Sequence, residues 1–143
     1  MYKRQVYGPT DNNRRVLGIF LERALKGEPL IVKGANQSLD FTFVEDAAQG
    51  IVCATLHDGA SGGTFNVTRG EGRTILDAAE IVAKLVPQTV IRTEEADKRL
   101  PSRGGLDISL AKERIGFNPQ VGLEEGLRRY HAYLLDQRTR GVW

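Results

Sequence analysis

From Val16 onward the apolar positions recur at helical spacing, with Val16, Phe20 and Ala24 on one stripe and Leu17, Leu21 and Leu25 on the next. That pattern predicts a strongly buried helix ended by Lys26-Gly27. Leu30 to Lys33 then reads as a short strand closed by Gly34, and Asp40 to Phe43 as a second extended piece leading into a helix from about Val44 to Leu56. Glu45 and Asp46 fall in the first turn of that helix, where its dipole favours negative charge. Thr64 to Val67 is rich in β-branched and aromatic residues and reads as a strand. Thr74, with Asp77 following it, resembles a capping box that opens a helix running to Val86, where Pro87 stops it. Val90 to Arg92 predicts a short strand and Thr93 to Gly105 a polar loop. Ser109 is placed to cap a short helix that ends at Gly116, and Leu123, Leu127, Tyr130 and Leu134 mark the last helix. The tail after Gln137 has no periodicity and reads as frayed.

Short strands separated by helices argue for an α/β arrangement rather than a sandwich. Strands this short make a poor sheet by themselves, and some of them call for parallel neighbours that the sequence does not supply. The chain therefore reads as half of a domain pair. Composition adds little: 143 residues at 41% hydrophobic and 27% charged are ordinary for one soluble domain. A net charge of +2, with dispersed basic residues, gives no nucleic-acid footprint. The single Cys53 cannot form an internal disulfide, and no apolar run is long enough to span a membrane. Cytoplasmic localisation is the expectation.

Little in the chain offers chemistry on its own account. His57 and His131 lie far apart without a cysteine or carboxylate cluster at metal spacing, so no metal site is expected. Cys53 falls on the apolar side of a helix and reads as a small core residue. Glu124 and Glu125 open the final helix and serve its dipole. No Gly-x-x-Gly-x-x-Gly loop follows a strand and opens a helix: Gly59, Gly62 and Gly63 precede an expected strand, and Gly70-Glu71-Gly72 lacks the third glycine.

Several landmarks nevertheless occur together in a recognisable order: Val6-Tyr7-Gly8-Pro9, Gly27-Glu28-Pro29-Leu30, Asp40-Phe41-Thr42-Phe43-Val44-Glu45-Asp46, Thr64-Phe65-Asn66-Val67, Pro101 to Ser109, and Gly116-Phe117-Asn118-Pro119. In this order the chain, from Val6 to about Leu135, resembles the C-terminal half of an extended short-chain dehydrogenase/reductase of the NAD-dependent nucleotide-sugar epimerase/dehydratase family, UDP-glucose 4-epimerase-like. UDP-glucuronate epimerases and decarboxylases and dTDP-glucose dehydratases share the pattern. The resemblance implies an α/β fold, the C-terminal substrate-binding portion of a Rossmann-type enzyme. The glycine-rich loop and the catalytic Tyr-x-x-x-Lys belong upstream in that family, and no Tyr-x-x-x-Lys occurs in this chain. NAD or NADP would then serve the full-length enzyme, with no tight binding expected by this chain alone.

The resemblance also assigns residues. Tyr7 belongs to the strand-end turn beside the nicotinamide. Arg15 and Val16 open the helix that faces the sugar nucleotide, where Arg15 either contacts the diphosphate or stands solvated at the helix start. Ile31 and Lys33 wall the nucleotide base, although Lys33 departs from the tyrosine common in relatives. Asn66 is placed to bond ribose or base, or to close a turn. Arg103 matches the arginine that pairs with the diphosphate, a use for which the guanidinium fork is suited, or stands as a cation of a flexible loop. Leu39 stands where many relatives carry an arginine, so either one expected anion contact is lost or the subgroup differs.

Residues 1–5 lack the apolar strand that relatives have there and read as a non-native leader, with 6–137 as sheet strands and substrate-binding domain and 138–143 as a tail. The expected partner is a nucleotide-diphosphate sugar, with no nucleic acid and no membrane, in a full-length homodimer. The alternative is a free-standing nucleotide-sugar-binding or interaction module without catalysis.

Overall fold

The computed structural model describes residues 5–11, 15–95 and 104–142. Among them the elements run β1 (Val6–Tyr7), α1 (Val16–Leu25), β2 (Leu30–Lys33), β3 (Ser38–Asp40), β4 (Thr42–Phe43), α2 (Val44–Leu56), β5 (Gly72–Thr74), α3 (Ile75–Leu85), β6 (Ile91–Glu94), α4 (Ser109–Ile115) and α5 (Leu123–Thr139). A short 3-10 turn at Asp58–Ala60 follows α2.

The strands form separate pairs. β1 runs parallel to β4 with Val6 opposite Thr42 and Tyr7 opposite Phe43. β2 runs parallel to β6 from Leu30 opposite Ile91 to Lys33 opposite Glu94. β3 and β5 are antiparallel, with Leu39 opposite Arg73. The expected loop from Thr93 is thus shortened, because Thr93 and Glu94 find ladder partners in Val32 and Lys33.

The two apolar stripes of α1 converge on one core: Leu17, Phe20, Leu21 and Ala24 are buried against Leu30 and Val32 of β2, Ala78, Ala79 and Val82 of α3, and Leu127, Tyr130 and Leu134 of α5. A smaller cluster forms around Ala111, Ile115 and Phe117, with Cys53, Phe65 and Val67 packed on it. α2 spans the two. Gly50 lets it approach the second cluster, since a β-carbon there would fall 2.1 Å from Val67 Cγ1 and 3.0 Å from the Phe117 ring.

The caps follow the sequence with one exchange. Thr74 and Asp77 form a complete capping box at the start of α3. Gly116 ends α4 at φ +65°, the left-handed conformation expected of it. Ser109, read as the cap of α4, is instead its first residue, and the side chain that turns the chain there is Asp107. Its Oδ1 accepts from Ser109 N at 2.8 Å and from Ser109 Oγ at 2.6 Å, because a carboxylate two residues upstream reaches the free amide better than the residue's own hydroxyl.

Two further expectations are corrected. Thr64 to Val67 carries no ladder. Its β-branched and aromatic side chains serve packing, with Phe65 and Val67 on the second cluster and the Asn66 amide donating to Asp107 O at 2.8 Å. Among the described residues the chain beyond Gln137 stays helical to Thr139, and Arg138 Nη1 donates to Leu25 O at 3.0 Å, tying the end of α5 to the end of α1.

Candidate functional site

β1 stops at a turn that shapes a cleft. Gly8 has φ +140° and lies so close to the start of α2 that a β-carbon would fall 2.7 Å from Val44 Cγ1. Thr10 follows in the left-handed region at φ 65°, uncommon for a β-branched residue. The chain thereby folds back, with Asp11 N donating to Gly8 O at 3.3 Å, and encloses a cleft of about 180 Å³ lined by Val6, Tyr7, Gly8, Pro9, Thr10, Asp11, Arg15 and Val44.

Tyr7 and Arg15, both singled out in the sequence, meet here. The Tyr7 ring turns away from the cleft into the core, edge-on to Phe43 with centroids 5.5 Å apart, and its phenol donates weakly to Leu123 O at 3.5 Å. Burial, then the charges of Asp46 and Glu124, push that phenol well above the usual tyrosine range. It is locked as a neutral strut, and Tyr7 meets the cleft through its backbone. Arg15 Nη1 donates to Val6 O, while its Nε stands 3.9 Å from Asp11 Oδ1. The guanidinium clips the start of α1 to the end of β1. Val16 is half-buried as the first residue of α1.

The other expected residues lie elsewhere. Ile31 and Lys33 sit on β2, and the exposed Lys33 ammonium pairs with Glu94 at 3.5 Å. Asn66 clasps the segment before α4. Arg103 lies outside the described residues, but the backbone just beyond it is firmly held. Gly104 N donates to Ser38 O at 3.1 Å, and Leu106 N donates to Asp40 Oδ2 at 3.0 Å. The same oxygen takes Gly70 N at 3.1 Å. Only glycines permit this crossing: a β-carbon on Gly105 would meet Gly72 N at 2.8 Å, and one on Gly72 would meet Gly105 N at 2.8 Å.

Sequence reading missed the two carboxylates that organise this region. Asp40 is fully buried, and among the described residues its Oδ1 has no hydrogen-bond partner. Asp46, read as a dipole charge, is buried at 3% exposure and accepts from Gln120 N and Val121 N, each at 2.9 Å. A carboxylate flanked by apolar residues looks the same in sequence whether solvated or buried. Arg73 was also missed. It forms a forked pair with Glu124, the shorter contact 2.8 Å, with Glu71 and Asp77 close by. That hydrogen bond holds Glu124 below the usual carboxylate range.

A second cleft of about 190 Å³ adjoins the first through Thr10 and Asp11 and is lined by Glu22, Tyr130, Tyr133 and Gln137. Burial, then the nearby Asp11 and Glu22, push the Tyr130 phenol up to about 12. Among the described residues no group of three or more His, Cys, Asp or Glu is placed to hold a metal ion, and no helix is long and apolar enough to cross a membrane.

Parallel strand pairs, flanking helices and a cleft at the carboxyl end of β1 define a protein of the Rossmann-type epimerase fold. An epimerase from the thermophilic methanogen Methanothermobacter thermautotrophicus superposes with a TM-score of 0.87 at 25% identity, over 95% of this chain and 42% of that one. A UDP-glucuronic acid 4-epimerase from Bacillus cereus, in complex with UDP-glucuronic acid and NAD, gives 0.84 at 25% identity over 92% of this chain and 43% of that one. In sequence, UDP-glucuronic acid decarboxylase 6 of Arabidopsis thaliana is 36% identical over 125 residues, 85% of this chain and 36% of that protein. Residues 4–68 match the NAD dependent epimerase/dehydratase family, which supports kinship with the extended short-chain dehydrogenases/reductases over that part of the chain. The chain spans 36% of the decarboxylase's length.

The described residues do not by themselves enclose a whole dinucleotide. About 180 Å³ lies below the range of roughly 300–1,000 Å³ usual for small-molecule pockets, and none of the described strands passes into a helix through a glycine-rich phosphate turn.

Proposed function

We propose that this chain is the substrate-binding part of an NAD(P)-dependent nucleotide-sugar epimerase or dehydratase, inactive in isolation because its residues supply no Tyr-x-x-x-Lys and no glycine-rich loop. The single observation that carries the reading is the clamped approach to Arg103. Asp40 and Ser38 fix the backbone at Leu106 and Gly104, and Arg103, which the resemblance assigns to the diphosphate, precedes them in sequence. A guanidinium in that place suits the two oxygens of a diphosphate. The Bacillus cereus relative is described with UDP-glucuronic acid and NAD, which supports a UDP-sugar as substrate class and NAD as the cofactor of the full-length enzyme.

Leu39, where the resemblance expects an arginine, faces Arg73 across the β3–β5 ladder. Directly opposed residues of an antiparallel pair share one face, so a cation stands on the same face of the ribbon one strand away. Arg73 is the replacement for the missing anion contact, released from Glu124 when the diphosphate binds. Ile31 and Val16 offer apolar surface toward the base and sugar, and Arg15 positions the turn at Tyr7 rather than gripping phosphate.

Binding energy from the diphosphate orients a sugar ring whose reacting carbon lies elsewhere. The test is titration of the complete enzyme with UDP-glucuronic acid and with NAD, each against Arg103→Ala. The reading requires weaker sugar-nucleotide binding with NAD binding kept. Equal sugar-nucleotide affinity in both versions removes it. Tight UDP-sugar binding by the 143-residue chain alone would instead favour the free-standing binding module.

A further inference from the structure

The second cleft lies in the groove between α1 and α5. Gly18 and Glu22 stand one turn apart on α1, and Tyr130, Tyr133 and Gln137 recur at i, i+3 and i+7 on α5. Thr10 and Asp11 reach the cleft from the turn after β1. Gly18 makes room for a phenol, since a β-carbon there would fall 3.0 Å from Tyr130 Oη. Tyr130 is 3% exposed, and among the described residues its hydroxyl makes no hydrogen bond. A buried tyrosine ordinarily gives its hydroxyl a partner, and this one lines a cleft instead. The Tyr133 ring stands beside it with centroids 6.5 Å apart, so the cleft has an aromatic wall.

The charge around that wall is one-sided. Asp11 has Arg15 Nε 3.9 Å away, but among the described residues no ion pair engages Glu22. Its neighbour Arg23 is spent on Glu28 at 3.5 Å and on Pro29 O at 2.8 Å. Burial first, and then Asp11 and Glu22, raise the Tyr130 phenol, so the negative field reaches the aromatic wall. We propose that this cleft binds a small organic ammonium ion, with its charge against Glu22 and its alkyl groups against Tyr130 and Tyr133. A carboxylate beside aromatic rings attracts such a cation twice, through its own charge and through the ring quadrupole. The Tyr130 hydroxyl and the Gln137 amide can both bond a polar group on the same ligand. The volume of about 190 Å³ is below that of drug-sized pockets, which restricts the occupant to a small molecule, and the negative charge repels phosphate. The site is therefore distinct from the one assigned to the sugar nucleotide and does not rest on that assignment. Its occupant bears on Thr10 and Asp11, which also line the first cleft.

The experiment titrates the 143-residue chain by calorimetry with choline, with n-butylammonium, and with the neutral isostere of choline in which carbon replaces nitrogen. At least one of the two cations should bind saturably and about tenfold more tightly than the isostere, the proportion set by the ammonium charge. Glu22→Gln should remove that preference, whereas Glu80→Gln, on the exposed side of α3, should keep it. Isostere and cation of equal affinity would show a merely apolar cleft and overturn the ammonium assignment. Unchanged cation affinity in Glu22→Gln overturns it too, as does the absence of saturable binding by either cation. Should Glu22→Gln lower the Tm, the parent chain decides: choline-induced amide shifts centred on Gly18, Glu22 and Tyr133 sustain the site, and shifts centred elsewhere remove it. The UDP-glucuronic acid titration against Arg103→Ala is read separately, so either result can fail without the other.

Discussion

The phenol of Tyr7 occupies the space that a side chain on Gly126 would need: a β-carbon there would fall 2.0 Å from Tyr7 Oη and 3.1 Å from the Phe43 ring. The turn that shapes the cleft is thereby seated against α5, far along the chain. Gly126→Ala improves intrinsic helix propensity by roughly 1 kcal/mol. Overpacking of about 1–3 kcal/mol more than offsets that gain, and displacement of Tyr7 carries through to the cleft. The expected result is a lower urea midpoint, restored in part by Tyr7→Phe, which removes the clashing oxygen.

Asp46 joins the first turn of α2 to the backbone of Gln120 and Val121. Asp46→Ala leaves those amides without their acceptor in a buried place and should cost about 3 kcal/mol. Asp46→Asn retains one accepting oxygen and should cost about half as much. Urea unfolding of both variants ranks them, and equal losses would show that Asp46 acts through the helix dipole rather than through these bonds.

The α3 cap is pH-dependent. The Thr74 backbone N–H, then the Thr74 hydroxyl and Arg73, hold Asp77 below its ordinary 3.8. A depressed folded value means that the stabilisation is present above the unfolded pKa and lost as pH falls through the folded one. Thr74→Ala should cost about 1 kcal/mol at pH 7. Asp77→Asn should be less stable than the parent at pH 7, and the difference should shrink as pH drops below 3.8, read from urea midpoints along that series.

Arg73 and Glu124 form an ion pair in which the carboxylate side chain is 61% exposed. Such a pair contributes little, about 0–1 kcal/mol, to stability. Arg73→Ala should therefore leave the fold within about 1 kcal/mol of the parent. In the complete enzyme it should weaken UDP-sugar binding about tenfold, the proportion expected for one lost charge-assisted contact of roughly 1.4 kcal/mol. Unchanged affinity would return Arg73 to a purely structural place beside Glu124.

Where periodicity carried the information, sequence and structure agree. The stripes of α1, the capping box of Thr74, the αL glycine at 116 and the buried Leu123, Leu127, Tyr130 and Leu134 all stand as read. These depend on neighbours a turn apart. Asp40 and Asp46 were illegible because their partners lie 30 and 66, and 74 and 75, positions away. Thr64 to Val67 misled because β-branched residues suit any half-buried extended surface, with or without a ladder. The site was legible as a turn at Tyr7-Gly8-Pro9, while the inward aim of the tyrosine ring depended on Gly126, which no local pattern announces.

Asp40 holds Leu106 from one side, and the pairing of Lys33 with Glu94 closes β6 on the other. The stretch between Glu95 and Gly104 thus leaves and rejoins the fold at anchored points. Joining two fixed points through a longer segment costs entropy only as the logarithm of its length, about 0.6 kcal/mol for each doubling. Insertions between the two anchors should therefore leave the stability of the fold nearly unchanged, provided that Arg103 and both anchors are kept.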